Sequence, residues 1–228
     1  SLISIFLFLA SCDNSPEHLK VPSLFSDGMV LQRDTTVAIW GQALPESIVY
    51  LSPSWGNIIK VKSDSNGFWK AFSETTNDQK NHSLRIKSGK DKIFINNILL
   101  GEVWLASGQS NMEMNFDYCC NSTDSAKHVL QNDMFKNIRM FNVKKRYSLN
   151  SSSGIQGRWV EAEKDSIKSF SAVGYFFAKK LHNTLGVPIG IIHASWGGSD
   201  VESWISKKKL SSIKKLEERF ITTQKIEK

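Results

Sequence analysis

The chain has 228 residues, 40% of them hydrophobic and 22% charged, proportions that argue against both a disordered chain and a membrane bundle. The formal net charge of +7 is spread along the sequence and is densest at Lys207-Lys208-Lys209 and Lys214-Lys215. No stacking motif accompanies those lysines, so the excess reads as a solvated surface and no nucleic-acid partner is expected.

At the N-terminal end, Leu2 to Leu9 is apolar and too short to span a bilayer, which fits the apolar region of an export signal. It runs into Leu9-Ala10-Ser11-Cys12, which resembles a bacterial lipobox, and a polar tether from Asp13 to Glu17 follows at once. The likeness implies cleavage before Cys12 and lipidation of that cysteine. It also implies export to the cell envelope, with a membrane reached only through the lipid anchor. The plainer alternative is a buried strand or helix with an incidental cysteine. The sequence opens at Ser1 with neither a methionine nor a basic segment, and a fragment of a longer protein is expected. Of the three cysteines, Cys119 and Cys120 are adjacent, which disfavours a bridge between them. No cysteine or histidine spacing suggests zinc, and neither a metal site nor an organic cofactor is expected.

Residues 1–19 are thus read as signal and tether, and short strands follow. Thr35 to Trp40 reads as a strand closed by Gly41, and Ile48 to Leu51 as another. Lys60 to Phe72 reads as a hairpin, because Asn66-Gly67 supplies the positive φ angles of its turn. His82 to Ile86 and Lys92 to Ile98 complete the series. No useful helical periodicity occurs before residue 99, so residues 20–98 are expected to form a small β-sandwich domain. Trp40, Trp55, Phe68, Trp69 and Phe72 could serve as a sugar platform, but alternation into the sandwich core is the expected arrangement.

From residue 99 to 228 the rhythm changes to α/β. Val103 to Ala106 has the length and bulk of a buried strand. A polar helical or loop region follows with Asp117 to Gln131, then a strand at Ile138 to Val143 and a loop from Lys144 to Gly157. Ser169 to Leu185 reads as a helix with Phe170, Val173, Phe177, Leu181 and Leu185 on one face, ended by Gly186. Ile189 to Ala194 is a further buried strand. Strands alternating with a helix imply a parallel sheet flanked by helices. Lys207 to Lys228 reads as one polar amphipathic helix with no strand after it, so the sheet is expected to be incomplete at the C-terminal end.

Two stretches carry chemistry. Ser107-Gly108-Gln109-Ser110-Asn111-Met112 sets a serine on a glycine-assisted turn after a buried strand, where its hydroxyl would stand at the rim of a parallel sheet. It is not the G-x-S-x-G elbow, because Met112 replaces the second glycine. Ser195-Trp-Gly-Gly-Ser-Asp-Val-Glu-Ser-Trp204 follows the last strand. Gly197-Gly198 either makes a plain tight turn or, lacking β-carbons, lets backbone N–H groups approach a ligand closely. With the Ser110 N–H they would form an oxyanion hole, whose donors contribute roughly 3–4 kcal/mol each where this has been measured.

The first stretch resembles the opening sequence block of the SGNH (GDSL-like) hydrolases, in the variant carried by sialate O-acetylesterases and related carbohydrate acetylesterases. The second is similar to their S-W-G-G-[ST]-x-x-E-x-W segment, and Leu24-Phe-Ser-Asp-Gly-Met-Val-Leu-Gln32 to the opening of their β-sandwich. The resemblance implies an SGNH-like α/β domain after the sandwich, with Ser110 as nucleophile and Ser110, Gly197 and Gly198 in the oxyanion hole. Gln109, Asn111 and Glu202 would orient the site or bind substrate; Glu202 could instead hold its own loop by hydrogen bonds.

A serine hydroxyl needs a general base, usually a histidine oriented by a carboxylate. SGNH hydrolases place that pair late, as D-x-x-H. Among the five histidines here, His18, His82, His128, His182 and His193, none follows an aspartate at that spacing. His18 lies in the tether, His82 in the β-domain and His182 on a helix surface, while His128 follows Asp124 by four residues. His193, near a strand end, is the one stand-in, although a histidine in a buried strand is more often a satisfied core residue. The base pair is therefore expected beyond Lys228. Two functions are weighed: a cell-envelope serine esterase that removes O-acetyl groups from carbohydrates, sialic acids first and xylan-type glycans next, and a non-catalytic surface lipoprotein that binds glycans. Oligomeric state is not legible.

Overall fold

The computed structural model describes residues 18–119, 123–146, 154–210 and 212–213. The lipobox with Cys12, Cys120, residues 147–153 of the expected loop and most of the expected C-terminal helix lie outside them. Six short strands come first: β1 (Val30–Gln32), β2 (Thr36–Gln42), β3 (Ile48–Pro53), β4 (Ile59–Lys62), β5 (Phe68–Glu74) and β6 (His82–Ser88). A strand of 18 residues, β7 (Asp91–Gly108), follows and organises the rest.

Its first half pairs antiparallel with β6, from Ser88 opposite Asp91 to His82 opposite Ile98. Beyond that it pairs parallel with β1 through Leu99 to Gly101, and its last seven residues lie parallel to a late strand. The two strands expected here, 92–98 and 103–106, are therefore one. Asn97 adopts a positive φ of 55° within it, and its side-chain oxygen accepts from Arg139 Nη2 at 3.1 Å. Asp27 Oδ1 accepts from the Asn96 N–H at 2.7 Å. Irregular backbone inside the strand is held by side chains from outside it rather than ending it.

The expected 60–72 hairpin is corrected in its pairing. Its turn forms as read, with Gly67 at φ +80° and Asp64 Oδ1 accepting from the Asn66 and Phe68 N–H groups at 2.8 and 2.9 Å. The arms, however, part: β4 pairs with β3, while β5 pairs with β2 in a separate two-stranded sheet. Ile39, Trp69 and Ala71 from the small sheet share one buried cluster with Val49, Leu51, Leu84, Ile86, Ile95 and Ile98 from the large one. Each such aliphatic side chain contributes about 1.5–3 kcal/mol when fully buried, and this shared cluster is what routes the chain between sheets. Trp55 and Trp69 are buried there as expected. Phe68 and Phe72 are not: strand alternation aligns them with Lys70 on the outer face, where Lys70 Nζ lies 5.1 Å from the Phe72 ring centre.

After β7 come α1 (Ser110–Glu113), α2 (Phe116–Cys119), α3 (Asp124–Asn132), β8 (Phe135–Asn142), β9 (Trp159–Ala162), α4 (Lys164–Lys168), α5 (Ala172–Leu185), β10 (Ile189–Ser195), a 3-10 turn at Val201–Trp204 and α6 (Lys207–Leu210). The large sheet runs β4-β3-β6-β7-β10-β8-β9, with β1 on the side of β7. β10 is parallel to both neighbours, β7 and β8. The short β9, which falls just after the expected loop, is antiparallel to β8. The expected parallel sheet is thus present as the centre of a mixed one.

Helix α5 starts as its sequence dictates, with the Ser171 hydroxyl accepting from the Gly174 N–H at 3.0 Å, and ends at Gly186 in the left-handed region. Its buried face differs in part from the expected one: Phe170 is buried and Leu181 packs on the same cluster as expected. Ala172, Gly174, Tyr175 and Ala178 are buried, whereas Val173, Phe177 and Leu185 are exposed. Small residues let the helix sit close to β10, and the Tyr175 hydroxyl is satisfied by Asp133 Oδ2 at 2.6 Å, which also takes Lys179 Nζ at 2.6 Å. Burial, then that carboxylate, pushes the Tyr175 hydroxyl far above its ordinary pKa. His182, expected on the surface, is half-buried, its Nδ1 2.7 Å from the Val187 carbonyl.

Candidate active site

The C-terminal ends of β7, β10 and β8 lie side by side, which is where open α/β sheets bind their ligands. β7 ends at Gly108, φ +133°. Gln109 caps α1 in extended conformation, and Ser110 begins the helix with its side chain exposed. The pairing of Gly108 with Ser195 brings the two sequence motifs together, and the Trp196 N–H donates to the Gly108 carbonyl at 2.9 Å. A β-carbon placed on Gly197 would stand 3.2 Å from Ser110 Oγ. Residues 87 positions apart in sequence thus meet at the nucleophile.

The Gln109 amide donates to the Ser199 carbonyl, tying the serine turn to the second motif. Ser199 Oγ donates to the Trp196 carbonyl at 2.7 Å and accepts from Trp204 Nε1 at 2.8 Å, so the glycine turn is braced by its own C-terminal half. Glu202 sits in the 3-10 turn, part-exposed, and its carbonyl accepts from the Ile205 N–H at 3.1 Å. Asn111 is exposed on α1 beside Ser110. Gly198 is open, at φ +76° with nothing near the place of a β-carbon.

Two residues outside the sequence-derived set enter the site. Glu113, three positions after Ser110, accepts from the Gly197 N–H and from Lys145 Nζ. Lys145 Nζ in turn lies 5.4 Å from the Trp196 ring centre. Lys145 first, then the Gly197 N–H, hold the Glu113 carboxyl below its ordinary range. Sequence reading passed over Glu113 because its partners, Lys145 and Gly197, are remote in sequence.

His193 is engaged elsewhere than at Ser110. Its Nδ1 donates to Asn142 Oδ1 at 2.8 Å, which leaves Nε2 to accept from the Ser195 hydroxyl at 2.5 Å. The Phe170 ring packs edge-on, centroids 5.3 Å apart. Burial depresses its pKa below the ordinary 6.5, against the opposing pull of Glu113. As pH falls below about 6.5 the unfolded chain therefore takes up a proton that the folded one refuses. Stability declines from there down to the depressed folded-state value and no further. His193→Gln is expected to remove that share of the acid decline, read as the difference in urea midpoint between about pH 7 and about pH 5.

Among the described residues no group of three or more histidines, cysteines or carboxylates could hold a metal ion, and no helix is long and apolar enough to cross a membrane.

The fold is similar to that of a solved carbohydrate acetylesterase. A crystal structure of a carbohydrate acetylesterase from Xanthomonas citri superposes with a TM-score of 0.77 at 35% sequence identity, over 85% of this chain and 43% of that one. More particularly, the chain resembles sialate O-acetylesterases: 26% identity over 217 residues with that of Homo sapiens and 27% over 220 residues with that of Mus musculus. These alignments take in 85% of this chain, which spans 40% and 38% of the two relatives' lengths. No family model matches the chain. The resemblance read from the two motifs is borne out.

Proposed function

We propose that this protein is a carboxylic ester hydrolase that removes O-acetyl groups from carbohydrates, with Ser110 as nucleophile. The observation that carries it is the meeting of Ser110 with the Gly197-Gly198 turn at the C-terminal edge of the sheet, in a chain similar to carbohydrate and sialate O-acetylesterases. Ser110 Oγ attacks the acetyl carbonyl carbon while its proton passes to a general base. N–H groups of Ser110 and of the glycine turn hold the resulting oxyanion. Collapse breaks the bond to the sugar oxygen, which leaves with the proton as a free hydroxyl, and the acetyl group stays on Ser110. Water, deprotonated by the same base, then releases acetate and restores the serine. The base is a histidine oriented by a carboxylate, as in the SGNH hydrolases. Gln109, Asn111 and Glu202 orient the site and bind sugar.

O-acetylated sialic acid is the favoured substrate, after the names of the relatives, with other acetylated glycans next. Residues 20–98 form the β-sandwich unit that precedes the SGNH-like domain, and export with lipidation at Cys12 would set the enzyme in the cell envelope. The test is to treat the protein, expressed from its whole reading frame, with a serine-directed phosphonate. One adduct mapped by mass spectrometry to the peptide holding Ser110 is expected. An unlabelled Ser110 in protein that binds acetylated glycans would overturn the esterase reading in favour of a glycan-binding lipoprotein.

A further inference from the structure

Glu113 ties three segments together at the nucleophile: α1, which carries Ser110; the chain after β8, which carries Lys145; and the turn after β10. Its carboxylate bridges Lys145 Nζ and the Gly197 N–H. A β-carbon at Gly197 would lie 2.7 Å from that carboxylate and 3.2 Å from Ser110 Oγ, so carboxylate and hydroxyl flank the same residue. An alanine there would press on both and displace the Glu113 carboxylate.

An N–H that already donates to an anion is a poor donor to a second one, and a carboxylate beside a developing oxyanion opposes it. At about 4 Å and an effective dielectric near 20 that repulsion is large enough to decide a rate. The Lys145 ammonium on the other carboxylate oxygen offsets the charge, leaving a local pair that is neutral overall. Meanwhile the Ser110 and Gly198 N–H groups have no backbone or side-chain acceptor among the described residues.

We propose that Glu113 is a positioning residue for acyl transfer: it pins Gly197 against the Ser110 helix, so that the oxyanion is met by the Ser110 and Gly198 N–H groups. Gly197 then acts as the close-packed hinge of the turn and not as a donor. This rests on the reading of Ser110 as nucleophile given above.

The test compares Glu113→Ala, Glu113→Gln and Ser110→Ala in the protein expressed from its whole reading frame, using acetate release from an acetylated aryl ester and the rate of phosphonate labelling at residue 110. With Glu113→Ala, kcat is expected to fall about 10- to 100-fold and labelling to slow in parallel, while KM stays within about threefold. Glu113→Gln keeps an oxygen that can accept from the Gly197 N–H, and is expected to recover kcat to within about fivefold of the parent. Faster turnover in either variant would overturn the proposal and make the carboxylate a plug on the oxyanion site. So would unchanged kcat in Glu113→Ala, or equal impairment of both variants. The two layers separate cleanly. Acetate release surviving Ser110→Ala defeats the nucleophile reading; an inactive Ser110→Ala beside a fully active Glu113→Ala defeats only the role of Glu113.

Discussion

Alanine in place of Ser110 is expected to lower acetate release by at least about 10³-fold, with little change in stability or in affinity for the sugar. A missing nucleophile removes the covalent route altogether, and what remains comes from the oxyanion donors and from binding. Stability should hold because Ser110 belongs to neither buried cluster and its hydroxyl has no hydrogen-bond partner among the described residues. Alanine is also well tolerated in a first helical turn, so the change should lie within about 0.5 kcal/mol. The measurements are a coupled acetate assay, a urea titration and direct glycan binding on the same preparation. A variant keeping a tenth of the parent rate would place the nucleophile elsewhere. Loss of both rate and fold would say that the turn, and not the hydroxyl, is what position 110 supplies.

The parts of this site that were legible in the sequence are those written in one contiguous stretch. Gly-Gln-Ser-Asn and Ser-Trp-Gly-Gly each declare a strand end and a backbone able to approach a ligand, because glycine and small polar residues have few other reasons to cluster after an apolar run. What the sequence did not carry is the bridge through Glu113 that ties them. Glu113 and Lys145 are 32 positions apart, and Glu113 and Gly197 are 84 apart; only the placing of β10 between β7 and β8 makes them neighbours. The same limit operates elsewhere in the fold. Asn66-Gly67 specifies a turn but not which strands pair after it, and a shared core sends β4 and β5 to different sheets. Helix α5 carries bulky apolar residues on one side and Ala172, Gly174 and Ala178 on another. Periodicity favours the bulky side, while close packing on β10 selects the small one.

The junction of the two halves supplies the other large effect. Gly101→Ala is expected to destabilise the protein by about 3 kcal/mol, near the upper end of the range for overpacked sites. A β-carbon there would stand 2.7 Å from the Pro188 carbonyl carbon and 2.9 Å from the Pro188 ring, and closer still to the carbonyl oxygen. These are backbone and ring atoms that cannot swing aside. The same few residues hold β1, β7 and the start of β10 in register. The Gly101 carbonyl accepts from the Arg33 N–H at 2.9 Å, and the Glu102 N–H donates to Pro188 at 2.9 Å. The Glu102 carboxylate accepts from Gln32 Nε2 and Arg33 Nε at 2.9 Å each, and the Gln32 side-chain oxygen accepts from the Val103 N–H at 2.8 Å. Relief of the clash must move β10 away from β7, and every residue of β10 up to Ser195 rides on that pairing. The urea midpoint should therefore drop, and the surviving folded fraction should label more slowly at Ser110, because the Gly197 turn is carried off with the strand end. A Gly101→Ala protein with parental stability would show that the strands part here at little cost. Parental labelling with lowered stability would show that the site is held by its own bridges, Trp196 to Gly108 and Gly197 to Glu113, whatever happens at the far end of the strand.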